Sequence, residues 1–202
     1  MNNFKFTATL ALFYKQTSIL SHSKDLEMKI LRKIFIGIIG FISILLIIAL
    51  FISKQYTVTV TETINKPRNI VFDYAKYLKN QENYSIWVME DIPSISYKGT
   101  DATVGATQIW NSQNDNVGEG EQEISSISEA RIDYDLRFKR PFESHQKAAL
   151  ILNVVAENQT QVVSEFYGSD PYPMNLMSFI GKGIIKDAQI KNMHNLKVIL
   201  EK

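Results

Sequence analysis

Cysteine is missing from all 202 residues. Its absence excludes a thiol nucleophile, any disulfide and the cysteine-ligated zinc sites, while leaving the redox compartment open. Histidine is nearly as scarce. The three copies are His22, His145 and His194, and no two of them stand at the spacing of a metal-binding pair. Neither sign of charge dominates: 22 basic residues face 21 acidic ones, for a formal charge of +1, and no basic block stands out. A nucleic-acid partner is therefore not expected. The chain also lacks a Gly-x-Ser-x-Gly elbow, a phosphate-binding loop and a dinucleotide fingerprint. The acidic stretch from Glu119 to Glu123 does not have the spacing of a calcium loop. No cofactor and no metal are expected, and the chain shows no internal repeat or low-complexity segment.

What is present begins with one long apolar run. IFIGIIGFISILLIIALFI, Ile34–Ile52, has nineteen residues and no charge. As a helix it rises about 28 Å, close to the hydrocarbon thickness of a bilayer. A helix buried in a protein core would show a polar face, and this one offers only Ser43. A cleaved signal peptide would have a shorter apolar region and a small-x-small site after it, which ALFISKQYT does not supply. One uncleaved membrane span is predicted. Lys29, Arg32 and Lys33 precede it and only Lys54 follows closely. The positive-inside rule then puts the N-terminus in the cytoplasm and the following domain on the far side. Residues 1–27 carry no pattern, and MKILRKIF from Met28 has the form of a natural start. The expected organisation is thus a weakly structured extension over 1–27, a basic flank and transmembrane helix over 28–54, and a domain over 55–202. That last stretch is long enough for one real core and too short for two.

Past the span the period changes. In QYTVTVTETI, Tyr56, Val58, Val60, Glu62 and Ile64 share one face and the threonines take the other, predicting a half-buried strand. Asn65 is the expected cap of a helix with Pro67 in its first turn, where a missing N–H is not needed. Val71, Tyr74, Ala75 and Leu78 make its apolar stripe. After KNQEN, a second short helix or turn carries Tyr84 and Trp87. From Asp91 onward, strand-like segments recur: SISYKG, ATQIWN, GEGEQEISSIS, RIDYDLRFKR, HQKAALILNVVAE and, beyond a turn at NQT, QVVSEFYGS. Short strands joined by such turns predict an antiparallel meander. From Tyr172 to Leu200 the spacing becomes helical, with Met174, Met177, Gly181, Ile184, Ile185, Ala188, Asn192, Leu196 and Ile199 on one broad face. Gly181 and Gly183 are expected to weaken or kink its first third. The predicted class is α+β: a curved antiparallel sheet of about seven strands, two short helices after the first strand, and a long last helix covering the apolar face. A curved sheet and a straight helix need not touch everywhere, and the gap is a cavity.

This order, and above all INKPRNIVFDYAKYLKNQENYSIWV followed by glycine-punctuated strands, resembles the helix-grip fold of the SRPBCC superfamily. That superfamily includes lipid-transfer START domains, the birch-pollen allergen and polyketide cyclases. Within it the chain is most similar to the polyketide cyclase/dehydrase-like branch. Members of that branch often show a proline opening the first helix, an aromatic inside it and a tryptophan ending the second, matched by Pro67, Phe72 and Trp87. The resemblance covers Tyr56 to Glu201 and none of the span. It implies a domain that holds a hydrophobic small molecule or lipid between sheet and last helix, and the apolar run ahead of it would tether that domain to a membrane. The superfamily is varied in function, so a cyclase- or dehydrase-like enzyme and a protein-interaction or stress module stay open.

The residues expected to line the cavity are Tyr74, Trp87, Tyr134, Phe138, Met174, Met177, Ile184 and Ala188, a mixture of aromatic and adaptable apolar side chains. Singly, each is explained by packing in a core; as a group they suit a pocket. For catalysis the chain has little. His194 falls off the stripe of the last helix. His145 opens a strand after RPFES, near the rim of the cavity. Glu62 shares a face with Val58, Val60 and Ile64, where a carboxylate needs a partner or a raised pKa. No catalytic residue is assigned, and His145 and Glu62 are the only candidates. Gln122, aligned with Ile124, and Asn192 also interrupt apolar faces. Asp133 and Asp135 share a face with Arg131 and Arg137, as a solvated sheet surface does.

Overall fold

The computed structural model describes residues 28–114 and 117–202. The extension expected over 1–27, with His22, lies outside the described residues. The chain divides into two units between Phe51 and Ile52. In the first, α1 (Met28–Phe51) is one helix of 24 residues, long and apolar enough to cross a membrane. A helix bonds its backbone groups internally, which is what hydrocarbon demands. Within the uncharged run even the one polar side chain complies: the Ser43 hydroxyl donates to the Ile39 carbonyl at 2.8 Å.

The second unit holds seven strands and three α-helices: β1 (Gln55–Ile64), α2 (Arg68–Ala75), α3 (Ile86–Glu90), β2 (Ile95–Lys98), β3 (Thr107–Asn111), β4 (Glu119–Ser128), β5 (Arg131–Arg140), β6 (Ser144–Ala156), β7 (Gln159–Ser169) and α4 (Ser178–Leu200). The strands form one antiparallel sheet in the order β1-β7-β6-β5-β4-β3-β2. β2 to β7 are the expected meander. β1 pairs with β7 at the opposite edge from β2, so the α2–α3 segment must carry the chain across the whole sheet. The long helix α4 lies against β1 and β7. Alternation along the strands works as the sequence implies. Ile132, Tyr134 and Leu136 of β5 are buried, while Asp133, Asp135 and Arg137 between them face outward.

Four local expectations differ from the structure. Asn65 caps no helix. Pro67 occupies the cap position of α2 with ψ 149° and no side-chain cap bond. Asn65 instead accepts from Gln159 Nε2 at 3.0 Å and donates its N–H to Glu201 Oε1 at 2.6 Å, tying the end of β1 to β7 and α4. Trp87 is the second residue of α3, not its last. The turn expected at NQT sits at Glu157 and Asn158, leaving Gln159 and Thr160 in β7. The last helix starts at Ser178 rather than Tyr172: Pro173 disfavours helical backbone at Tyr172, and a 3-10 turn at Met174–Leu176 precedes the α-helix. It runs unbroken through Gly181 and Gly183.

The core joins β1, α2, β4–β7 and the second half of α4. Val60, Ile64, Val71, Leu78, Ile124, Ile132, Leu150, Leu152, Val162 and Leu196 pack together. Asp101 fixes the crossover above it. Its carboxylate accepts the backbone N–H of Leu78 at 2.8 Å and of Lys79 at 3.1 Å, capping a 3-10 turn over Leu78–Asn83.

Candidate functional site

Cross-strand register shows which side chains share the face beneath α4. One row runs Ile64–Thr160 on β1 and β7, and the next ones carry Val162, Leu152, Leu150, Ile132 and Ile124. These belong to the packed core, which extends as far as Tyr134 and the partly buried Ala148. Beyond that row the same face changes character. Gln108 on β3 stands opposite Gln122 on β4, Gln122 opposite Leu136 on β5, and Leu136 opposite Gln146 on β6. The row after it carries Trp110, Gly120, Phe138 and Ser144. Tyr56 and Val58 of β1 flank this end, opposite Gly168 and Phe166. The concave face is thus apolar and filled at one end, and aromatic with neutral amides at the other.

Glycine sets the aromatic floor. A Cβ on Gly120 would lie 2.5 Å from Trp110 Cζ2 and 2.7 Å from the Arg137 carbonyl. Only a bare backbone lets Trp110 settle there, edge-on to Phe138 with ring centres 5.7 Å apart. Gly168 does the same for Tyr56, whose ring would collide with any side chain at that position. Lys182 of α4 covers Tyr56 from above, its Nζ 4.8 Å from the ring centre. This contact brings the first half of α4 over the amide end.

The amides are unequally satisfied. Gln146 accepts from Ser169 N–H at 2.6 Å and donates to Asp170 Oδ1 at 3.2 Å. Gln108 Nε2 donates to the Tyr97 hydroxyl at 3.2 Å. Gln122 Nε2 and, on α4, Gln189 Oε1 are buried without a hydrogen-bond partner among the described residues. Gln189 is 8% exposed. An unmatched buried donor and an unmatched buried acceptor cost roughly 1–3 kcal/mol each, and a bound molecule with complementary groups removes that cost. Besides Asp170 and Lys182, the ionisable groups at this end include three tyrosines. Burial, with help from the neighbouring Asp170, pushes the Tyr56 hydroxyl up to about 12, and burial also raises Tyr97 and Tyr134. All three are neutral at physiological pH.

The residues expected to matter are distributed as follows. Tyr134 and Ala188 are buried, and Tyr74 and Phe138 are half-buried. Trp87, Met174, Met177 and Ile184 are exposed, by 38%, 40%, 53% and 59%. Glu62 does face inward, and it accepts from Lys197 Nζ of α4 at 2.9 Å. His145 stands opposite Arg137 on the outer face, its Nε2 3.8 Å from Asp135 Oδ1. With Tyr56, Gln146 and Gly168 it borders an open groove of about 560 Å³ at the end of the sheet. Asn192 holds the crossover: its Oδ1 accepts the Ile86 N–H at 2.8 Å. On the outer face, Arg137 pairs with Glu121 and Glu123, both at 2.5 Å. The sequence analysis missed Gln108, Gln146 and Gln189. Two-residue alternation with Trp110 and with Ala148 points to the first pair; Gln189 needed the helix axis to be known.

No family model and no curated protein matches the chain. Solved structures do. A protein of Thermobifida fusca, solved in solution, superposes with a TM-score of 0.56 at 14% identity, over 71% of this chain and 92% of its own. A Mesorhizobium loti protein gives 0.55 at 15% identity, over 72% and 97%. The Zhui aromatase/cyclase of Streptomyces sp. R1128 gives 0.55 at 10% identity, over 73% and 94%. At such identities the likeness is one of architecture: residues from Ile52 onward form a helix-grip domain.

Proposed function

We propose that this chain is a membrane-tethered binding domain, holding a hydrophobic small molecule or lipid between the amide end of the sheet and the first half of α4. One observation carries this reading: the concave face leaves the packed core beyond Tyr134 and ends in aromatic rings with unmatched amide groups on Gln122 and Gln189. Ligand pockets combine those two features, a mainly apolar lining and a few placed polar groups. Tyr134, Phe138 and Ala188 contact the ligand in this scheme, with Tyr74 behind them, and Trp87, Met174, Met177 and Ile184 surround the mouth. The run Ile34–Ile52 is the tether, with the N-terminus cytoplasmic and the domain extracytoplasmic. Tethering raises the local concentration of any bilayer-borne ligand.

The test is native mass spectrometry of the full chain, extracted gently from membranes, with identification of bound small molecules. A stoichiometric hydrophobe supports the reading. A domain that folds with no bound mass, and takes up none from added lipid extract, sinks it. A second reading, a cyclase- or dehydrase-like enzyme, draws on the likeness to the Zhui aromatase/cyclase. It requires chemical turnover of the bound molecule, which the same mass spectra report.

A further inference from the structure

The stretch from the end of β7 into the first turn of α4 is built inside out. Its polar residues turn inward: Asn175 is 0% and Ser178 2% exposed, and the Ser178 hydroxyl donates to the Asn175 carbonyl at 2.6 Å. Four of its large apolar residues turn outward, while Leu176 is half-buried. Tyr172 and Met174 are each 40% exposed, Met177 53% and Phe179 79%. A surface that faces water is arranged the other way round, and an outward apolar patch of this kind marks a contact with something apolar.

Where the segment is anchored says what that something is. Asn175 Nδ2 donates to the carbonyl of Ile52 at 2.9 Å, and Asp170 N–H donates to the carbonyl of Lys54 at 2.8 Å. Ile52 is the last residue of the uncharged run and follows α1 directly in the chain. Phe179 is four residues past Asn175, about 6 Å further at helical rise. The headgroup layer on each side of a bilayer is roughly 5–8 Å thick. A segment bonded to the residue that directly follows the span in the chain therefore starts within reach of that layer. Tyr172 and Lys54 beside it are the residue types that settle at a membrane interface.

We propose that Tyr172–Phe179 is a second membrane contact, an edge of the domain that inserts into the bilayer interface beside the tether. This rests on the tether reading above. It also gives the mouth residues Met174 and Met177 a second role, since a lipid can then pass from bilayer to concave face without crossing water.

The lack of cysteine makes the test clean. Single-cysteine variants I44C, V155C, M177C and F179C of the full chain are spin-labelled in nanodiscs of phosphatidylcholine and phosphatidylglycerol. Collision with oxygen, which concentrates in lipid, is compared with collision with a water-soluble nickel chelate. Val155 is 55% exposed at the far end of β6, and serves as the aqueous control. The expected result is that labels at 177 and 179 favour oxygen over nickel several-fold relative to 155. If they are as open to nickel as 155 while 44 is shielded, the tether stands and the second contact is overturned. Shielding from both reagents means that protein covers the segment, and overturns it too. A label at 44 that is open to nickel removes the tether, and the second contact with it.

Discussion

Lys197 Nζ and Glu62 Oε1 lie 2.9 Å apart, joining the end of α4 to the inward face of β1. Each side chain is under a third exposed, at 29% and 27%. The bond to Glu62 raises the lysine pKa above its ordinary value of 10.5. K197M leaves the carboxylate half-buried and unpaired. The expected loss is about 1 kcal/mol, or roughly 2–4 °C in Tm for a domain of this size. The double variant E62Q/K197M is expected to recover most of it. A group whose pKa is raised on folding gives its stability below the unfolded value and loses it as pH rises through the folded one. The gap between wild type and K197M should therefore shrink above about pH 10.5. Thermal unfolding of the full chain at pH 7 and pH 11 checks both points, and an undiminished gap at pH 11 rules the ion pair out as its source.

Gly168 is expected to tolerate no side chain. Even alanine puts a Cβ into the Tyr56 ring, and overpacking of this kind costs about 1–3 kcal/mol. If G168A yields by swinging Tyr56 outward, the hydroxyl leaves the burial and the Asp170 neighbour that hold it near 12. One tyrosine should then titrate closer to 10, visible in ultraviolet absorbance. An unchanged titration together with an unchanged Tm means that the ring does not rest on Gly168.

Asp101 caps the crossover turn through two backbone donors, Leu78 N–H and Lys79 N–H. D101A is expected to lose about 0.5–2 kcal/mol, the range for a removed cap. D101N keeps one acceptor oxygen and should lose less. Hydrogen exchange at Leu78 and Lys79 gives the local readout. Faster exchange there in D101A with no change at Val162 distinguishes a lost cap from general loosening.

The fold was legible because two periods are written plainly in the chain. Tyr134 and Leu136 alternate with Asp133 and Asp135 as a two-sided sheet requires, and the spacing from Ala188 to Leu196 and Ile199 is helical. What stayed hidden depended on partners distant in sequence. Asn65 looks like a cap until Glu201 and Gln159 reach it from the far end of the chain. Met174 and Met177 fit an apolar helix face, yet the α-helix begins only at Ser178, after a 3-10 turn, and both side chains are exposed. His145 follows the strand alternation outward, opposite Arg137. The row of Gln108, Gln122 and Gln146 exists only through the register of four strands, and no single segment announces it.

Gln122 and Gln108 are neighbours on adjacent strands, and substitution should move them in opposite directions. Gln108 Nε2 is matched by the Tyr97 hydroxyl, which itself donates to Glu82, so Q108L discards one bond from a network that keeps the other. A loss of about 1 kcal/mol is expected. Gln122 Nε2 is buried and unmatched, so Q122L removes a cost already present in the empty domain. It should raise the stability of delipidated protein by about 1 kcal/mol, on the same accounting of unmatched donors. If that donor exists to meet a polar group on a bound molecule, the same substitution should weaken retention of a co-purifying hydrophobe. A more stable protein that binds less well is the pattern of a residue kept for its ligand. Thermal unfolding and native mass spectrometry on one set of preparations read both quantities. If Q122L is less stable than wild type, the amide is structural. If it is more stable and retains ligand equally well, the amide end of the sheet is not where the ligand's polar group lies.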